Sequence, residues 1–182
     1  MDSNNDRIQL LDAAEQLFYE RGYQTVGMDA LREASGLPLK RIYSLFQGKD
    51  QIAVAMLQHR DKRWIASLEQ HIGHEEDPSD QLLAVFDWLE SWLSREGHRG
   101  CAWINAFGEL GAVSPGVTQA VRDHKNRLKS LITDLAGQAG ASQETADAIF
   151  LLAEGAMVTA GISGRPDVAI QARRAAQVLL AA

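Results

Sequence analysis

The chain has 182 residues, a formal net charge of −6, 46% hydrophobic residues and one cysteine. Its length supports one helical core or a small head joined to a larger domain. A single cysteine excludes an intrachain disulfide and fits a reducing cytoplasm. The polar, acidic N-terminus is unlike a signal peptide, and no uninterrupted apolar run reaches the roughly 18 residues of a membrane span, so we expect a cytoplasmic protein with no membrane partner.

The charge is unevenly distributed along the chain. Residues 1–65 contain nine Lys or Arg and nine Asp or Glu, whereas residues 66–182 contain nine against fifteen. An acidic rear part behind a neutral front with local basic points restricts contact with nucleic acid to the N-terminal end. The charge distribution permits DNA binding there but does not require it.

Three helices are predicted at the N-terminal end. The first runs from about Asp6 to Arg21, carries apolar residues at helical spacing and stops at Gly22. Residues 25–46 then predict two short helices. Thr25 is placed to cap the first of these, and Gly36 is placed in the turn between them, where a left-handed conformation costs glycine least. Two short helices joined through such a turn make a helix-turn-helix.

The second short helix of this pair has a polar outer side. Pro38 suits its first turn, and the apolar residues of the pair are expected to face inward: Ala30, Leu31, Ala34, Ile42, Leu45 and Phe46. The major groove of B-DNA, about 12 Å wide, admits one helix. Basic and hydroxyl side chains on the outer side would reach phosphates and base edges, although a Lys-Arg pair alone is also typical of a solvated face. The predicted DNA contacts are Thr25, Pro38, Leu39, Lys40, Arg41, Tyr43, Ser44 and Lys49.

A long helix is predicted from Lys49 to about His71. A lysine at a helix N-terminus opposes the helix dipole, so an outside anion would account for Lys49, the alternative being a solvated lysine. The loop that follows, residues 71–78, has two histidines and three acids, but their spacing matches no standard metal site, and we predict none. We divide the chain into a helix-turn-helix domain, 1–48, and a helical ligand-binding and dimerisation domain, 49–182.

After this loop a helix is predicted to reach Arg95, with Ser79 or Asp80 as its cap. Four more helices are predicted: 101–110, Pro115 to about Leu135, 142–162 after a Ser142 cap, and Asp167 to Ala182. The predicted fold is therefore all-α, with about nine helices. The last two helices are apolar on more than one side and rich in small residues. This pattern favours a two-fold four-helix bundle formed with a second copy, while deep burial within one chain is the competing interpretation.

The segment 101–110 places Cys101, Asn105 and Glu109 on one helix face among apolar residues. An amide and a carboxyl beside aromatic rings are typical of a mostly apolar ligand pocket; the alternative is that these groups bond neighbouring helix ends or face solvent. A redox role for Cys101 is the less favoured alternative to a small buried hydrophobe. The predicted ligand-binding residues are Trp88, Trp92, Trp103, Asn105, Phe107, Glu109 and Met157.

The N-terminal quarter resembles the TetR family of bacterial transcriptional regulators. The resemblance covers about residues 8–56: the first helix with its Gly22-Tyr23 exit, Thr25, Ser35-Gly36-Leu37, Ile42-Tyr43, Phe46 and Gly48-Lys49-Asp50. The sequence departs from the family pattern at Pro38, Lys40-Arg41 and Leu45, which affects base contacts. The resemblance implies that Lys49 contacts a DNA phosphate and that the last two helices form a homodimer.

Together these features predict a ligand-responsive transcriptional regulator, a repressor that binds a palindromic double-stranded DNA operator as a homodimer and is released by a small-molecule effector. A helical interaction protein without DNA binding is the first alternative. An all-α enzyme that modifies a small molecule is the second, although the sequence has no Ser-His-Asp or Cys-His set and no phosphate-binding glycine loop. We therefore predict that the chain is not an enzyme and needs no cofactor.

Overall fold

The computed structural model describes residues 3–181, which form nine α-helices and no β-strand. The all-α prediction and the expected helix number are confirmed. In chain order the helices are α1 (Ser3–Arg21), α2 (Met28–Ser35), α3 (Leu39–Leu45), α4 (Lys49–Ile72), α5 (Pro78–Leu93), α6 (Ala102–Leu110), α7 (Pro115–Gln138), α8 (Gln143–Ser163) and α9 (Val168–Leu180). The predicted last helical residue, Ala182, lies outside the described residues.

The helix-turn-helix forms as predicted at its turn but not at its start. Gly36 adopts the left-handed conformation, with φ of 67°, and ends α2. The N-cap of α2 is Gly27, not Thr25, and it makes no side-chain cap hydrogen bond. The Thr25 hydroxyl instead donates to the Arg21 carbonyl at 2.6 Å, with the Gly22 carbonyl at 3.2 Å. Thr25 therefore closes the end of α1.

Two further details of the helix-turn-helix differ from the prediction. Leu31 is fully buried, but Ala34 is exposed and Ser35 takes the buried position beside it. The Ser35 hydroxyl is satisfied there because it donates to the Leu31 carbonyl at 2.6 Å. Pro38 is the N-cap of α3 and lies one residue before the first helical turn.

The caps of the later helices show which local signals were decisive. The Ser142 hydroxyl accepts from the Thr145 N–H at 3.1 Å and caps α8, as predicted. For α5 the predicted caps, Ser79 and Asp80, are wrong. The Asp77 carboxylate accepts from their backbone N–H groups instead, because Pro78 occupies the first helical position.

The chain divides into two compact units, and two helices continue from one to the other. The first unit contains the residues up to Arg63 together with Ala102–Asp123; the second contains Trp64–Cys101 and the residues from His124 onward. In the first unit α1 packs against α2 and α3. In the second unit α5 and α8 both pack against α9. The predicted domain boundary after residue 48 stays a prediction.

Each unit has an apolar core of its own. The first is built around Phe18, whose ring stacks on that of Tyr23 with centroids 4.7 Å apart, and around the fully buried Leu31 and Ile42. Truncating a buried leucine or isoleucine to alanine typically costs about 2–5 kcal/mol. This core fixes the orientation of α3 on α1 and α2, and so decides which of its residues face outward.

Helix α8 is unusual in composition among the described helices. It is long and apolar enough to cross a membrane by length and composition alone, with a mean hydropathy of 1.4, and 33% of that window is buried. The large apolar side chains that it leaves exposed include Leu151, Val158 and Ile162.

Candidate nucleic-acid interface

The outer side of α3 is polar. Ile42 is fully buried against the unit core and anchors the helix, while Lys40, Tyr43 and Ser44 are exposed. Tyr43 exposes 52% of its surface, a large fraction for an aromatic residue. Because α3 has only seven residues, about 10 Å of helix, a single surface of this kind offers few contacts.

Arg41 is held against the start of α1. Its Nε donates to the Asp6 carboxylate at 2.7 Å, and that carboxylate is almost fully buried. About a third of the Arg41 side chain, 32%, remains exposed. Arg41 therefore ties α3 to α1 through a charge-assisted hydrogen bond, which the sequence did not indicate because the two residues are 35 positions apart.

Lys49 has internal partners that explain its position at a helix N-terminus. Its ammonium group donates to the carbonyl oxygens of Tyr23, at 2.8 Å, and Val26, at 3.0 Å. These two carbonyls belong to the connection between α1 and α2. An outside anion is therefore not needed to account for Lys49, and the predicted phosphate contact would have to use the third N–H of the ammonium.

The remaining predicted DNA residues also lie in the first unit. Thr25 and Pro38 are exposed, and Leu39 is half-buried at the start of α3. The Thr25 hydroxyl hydrogen is committed to the end of α1, which leaves its oxygen only as an acceptor. Thr25, Pro38 and Leu39 all remain at least partly exposed in the folded unit.

Arg7 is a cation on this unit that the sequence analysis did not select. It is exposed on α1, and its guanidinium carbon lies 5.3 Å from the ring centroid of Phe46, the residue that ends α3. Within residues 3–181 no ion pair involving Arg7 is found. The contact spans 39 positions in sequence, so only a correct fold would have revealed it.

The predicted ligand-binding residues fall into the two compact units. Trp103 is buried in the first unit, where Asn105 and Glu109 are half-buried and Phe107 is 53% exposed. The Glu109 carboxylate accepts from the Gln24 backbone N–H at 3.1 Å, and its carbonyl accepts from the Gln24 side-chain amide at 3.1 Å. Glu109 thus ties α6 to the connection after α1.

The other three predicted ligand residues are buried in the second unit. The rings of Trp88 and Trp92 lie parallel with centroids 5.9 Å apart, and Trp64 packs edge-on against both. The Trp88 indole N–H donates to the Ser67 hydroxyl at 3.2 Å. Met157 is fully buried. These side chains form packed core in the described structure.

Cys101 is buried and accepts a hydrogen bond from the Lys125 ammonium at 3.3 Å. The same ammonium forms an ion pair with Glu154 at 2.7 Å, which supplies its countercharge. Among the described residues no group of three or more His, Cys, Asp and Glu side chains is arranged to hold a metal ion.

Comparison with known proteins identifies the family. The family model for "Bacterial regulatory proteins, tetR family" matches residues 10–56, and that for "Tetracyclin repressor-like, C-terminal domain" matches residues 78–176. The transcriptional regulator AcuR of Cereibacter sphaeroides is 25% identical over 169 residues, 87% of this chain and 77% of that protein. The transcriptional repressor ComR of Escherichia coli is 30% identical over 119 residues, 64% of this chain.

Solved structures agree with this assignment. SCO4454, a TetR-family transcriptional regulator from Streptomyces coelicolor, superposes with a TM-score of 0.87 at 26% identity, over 99% of this chain and 95% of that one. The chain spans less than two thirds of ComR (57%) and of an uncharacterized regulator from Lactococcus lactis (64%). The matches are to regulators and not to enzymes, as the sequence predicted. The chain belongs to the TetR family of bacterial regulatory proteins.

Proposed function

We propose that this protein is a transcriptional repressor that binds a palindromic DNA operator as a homodimer and dissociates from it when a small molecule binds. The observation that carries the proposal is the outer side of α3, where Lys40, Tyr43 and Ser44 are exposed beside a buried Ile42 on a helix-turn-helix. Acting on DNA, the protein would work in the cytoplasm.

The chemistry of this surface suits a DNA groove with its flanking phosphates. Lys40 supplies a point charge and Tyr43 supplies a hydroxyl donor, groups that commonly position a helix on the DNA backbone. The Ser44 hydroxyl already donates to the Arg41 carbonyl at 2.7 Å, so towards DNA its oxygen can only accept. Arg7 adds a second exposed cation from α1, beside the ring that follows α3. With Arg41, Lys49, Thr25, Pro38 and Leu39, these residues make up the proposed interface.

A homodimer is supported by the outer face of α8. Leu151, Val158 and Ile162 expose 66%, 38% and 83% of their surfaces, and Val178 of α9 exposes 69%. Leu151, Val158 and Ile162 recur at helical spacing with Gly155 between them, where a side chain would meet nothing within 4 Å. A two-fold interface would bury this stripe against its own copy, and it accounts for the composition of α8 without a membrane.

Dimerisation also supplies the sequence selectivity that a single helix-turn-helix lacks. Two of these units, one from each protomer, read both halves of a palindrome, and the half-site spacing then reports the geometry of the dimer. An effector that favours a different separation of the two helix-turn-helix units would weaken DNA binding, and DNA would weaken effector binding by the same factor. The proposed effector contacts are Trp103, Asn105, Phe107 and Glu109 of the first unit. A ligand-binding role for Trp88, Trp92 and Met157, which pack in the core of the second unit, stays a prediction.

Selection from random DNA duplexes followed by measurement on variants tests the proposal. We expect the wild-type protein to enrich a two-fold symmetric sequence, and Lys40→Ala with Tyr43→Ala to weaken binding to it at least about tenfold while the dimer stays intact. Lys62→Ala, which removes another exposed lysine charge, on α4, is the matched control. Equal binding by the double variant and the control, or enrichment of no sequence, contradicts the proposal.

A further inference from the structure

Arg60 of α4 is a buried cation with an incomplete set of partners. It exposes 6% of its surface, and its Nη1 donates to the Glu15 carboxylate of α1 at 2.7 Å. Glu15 also pairs with Arg63, so one carboxylate serves two guanidinium groups. All three residues belong to the first compact unit.

The other nitrogens of Arg60 have no acceptor. Nε and Nη2 are fully buried, and neither makes a hydrogen bond within the described residues. These two nitrogens form the side edge of the guanidinium, on which two parallel N–H bonds match the two oxygens of a carboxylate. Buried donors are nearly always paired in native proteins, so a vacant pair in this geometry points to a ligand.

Aromatic rings surround the cation. The guanidinium carbon lies 4.9 Å from the ring centroid of Tyr19, on α1, and 6.0 Å from that of Trp103, on α6. Ring faces attract a cation but carry no oxygen that could take its in-plane N–H groups. They do offer apolar walls for the body of a small molecule whose charged end is on Arg60.

We propose that the Nε–Nη2 edge of Arg60 binds the carboxylate of a monocarboxylic acid with an apolar body, and that such acids are the effector class of this protein. A monoanion fits better than a phosphate dianion because Glu15 already offsets part of the Arg60 charge and the vacant edge has two donors. The assignment of an effector role rests on the proposed function, whereas binding to the free protein does not.

The site is connected to the helix-turn-helix within the same unit. Arg60 holds α1 through Glu15, and α1 packs against both α2 and α3. A second carboxylate on the same guanidinium competes with Glu15 for its charge. Because the vacant nitrogens are enclosed, a neighbouring ring must also move to admit the ligand. Binding therefore changes the contacts between α1 and α4, and it changes the surroundings of Trp103.

The test uses the full chain without DNA and a fixed panel of acids: the straight-chain monocarboxylates from three to eight carbons, and benzoate, each beside its neutral amide. Binding is followed by melting temperature and tryptophan fluorescence. We expect saturable binding of at least one acid, at least tenfold tighter than its amide. Binding of no acid in the panel, or equal binding of acid and amide, overturns the proposal.

Variants separate a binding role from a structural one. Arg60→Lys keeps a positive charge beside Glu15 but loses the two parallel N–H donors of the guanidinium edge. We expect at least a tenfold loss of acid affinity. Arg63→Lys, on the same carboxylate but half-exposed, is the matched control and should lose less than threefold. Glu15→Gln removes the competing carboxylate and should tighten acid binding, a gain that a purely structural Arg60 would not produce. Acid binding that survives Arg60→Lys, or that weakens in Glu15→Gln, refutes the assignment.

The same samples, with the selected operator added, separate this inference from the proposed function. Release of DNA by a neutral compound, with no acid bound, would refute the Arg60 site and leave the repressor proposal standing. Binding of an acid to a protein that selects no DNA sequence would refute the repressor proposal and leave the Arg60 site standing. Release of DNA by the acid in the wild type but not in Arg60→Lys supports both.

Discussion

Helices α3 and α8 each present a face that their own compact unit leaves uncovered, and the two faces have opposite chemistry. On α3 the fully buried residue is the large Ile42, and polar Lys40, Tyr43 and Ser44 face outward. On α8 much of the buried side is alanine, at Ala146, Ala153, Ala156 and Ala160, while large residues such as Leu151 and Ile162 face outward.

The difference favours a different kind of partner for each face. A helix of a monomeric protein places its large apolar residues inside, as α3 does, and its outer face then suits water or a charged polymer. In α8 the alanines pack closely within the unit beside the buried Ile149 and Met157. Leu151, Val158 and Ile162 are left for another surface of similar composition. DNA is the expected partner of the α3 face, and a second copy of the chain is the expected partner of the α8 face.

The largest expected effect comes from placing charge on the α8 face. Leu151→Glu combined with Ile162→Glu puts four carboxylates into a two-fold interface, where burying an unpaired charge is strongly unfavourable. We expect a monomer by analytical ultracentrifugation and, because two half-sites are no longer bound together, about a 100-fold loss of operator affinity. The helical content should not change, since both positions are exposed within the unit.

The control for this prediction is Val113→Glu, which places a carboxylate at a position 76% exposed in the first unit. It should remain dimeric and bind DNA normally. A dimer that persists in the double variant would show that the α8 face has another partner, and the contrast between the two helices would then need a different explanation.

Local signals explain why so much of this fold was predictable. Helical spacing of apolar residues, together with stops such as Gly22 and Gly36, located all nine helices to within a few residues. The errors were at caps, where neighbouring residues compete, and on the inner face of α2, where Ser35 and not Ala34 is buried. Asp77, not Ser79, caps α5 because Pro78 occupies the first helical position. The Thr25 hydroxyl donates to the Arg21 carbonyl at the end of α1 and so does not cap α2.

The candidate sites depended on contacts that no local pattern contains. Arg41 meets Asp6, Arg60 meets Glu15 and Lys49 meets the Tyr23 carbonyl, across 35, 45 and 26 positions. The sequence could identify these residues as charged but could not say which charges were already paired. Trp103 was chosen as an aromatic near polar residues, and the cation beside it was missed.

A smaller effect is expected from Arg7, and it sharpens the proposed outline of the DNA-binding face. Arg7→Ala should weaken operator binding about three- to tenfold and lower the slope of log affinity against log salt by about 0.9, the value for one phosphate contact. Arg7→Lys keeps the charge and should restore the slope. Lys62→Ala again serves as the control, and an unchanged slope in Arg7→Ala would place Arg7 off the DNA.

The smallest effect concerns Thr25, for which the structure offers one role and the sequence another. Thr25→Val removes the hydrogen bonds to the Arg21 and Gly22 carbonyls while keeping the shape of the side chain. Because the site is exposed and water can replace the hydroxyl, we expect a loss of about 0.5–1 kcal/mol in the free energy of unfolding by urea titration.

Operator affinity decides between the two roles of Thr25. If the hydroxyl hydrogen serves only the end of α1, Thr25→Val should change operator affinity less than about twofold, since α2 and α3 keep their own hydrogen bonds and Leu31 stays buried. Thr25→Ser retains the donor and should match the wild type in both measurements. A tenfold loss of DNA binding in Thr25→Val with unaltered stability would instead mean that the hydroxyl turns from the Arg21 carbonyl to a phosphate on binding, and Thr25 would then belong with Lys40 and Tyr43 on the interface.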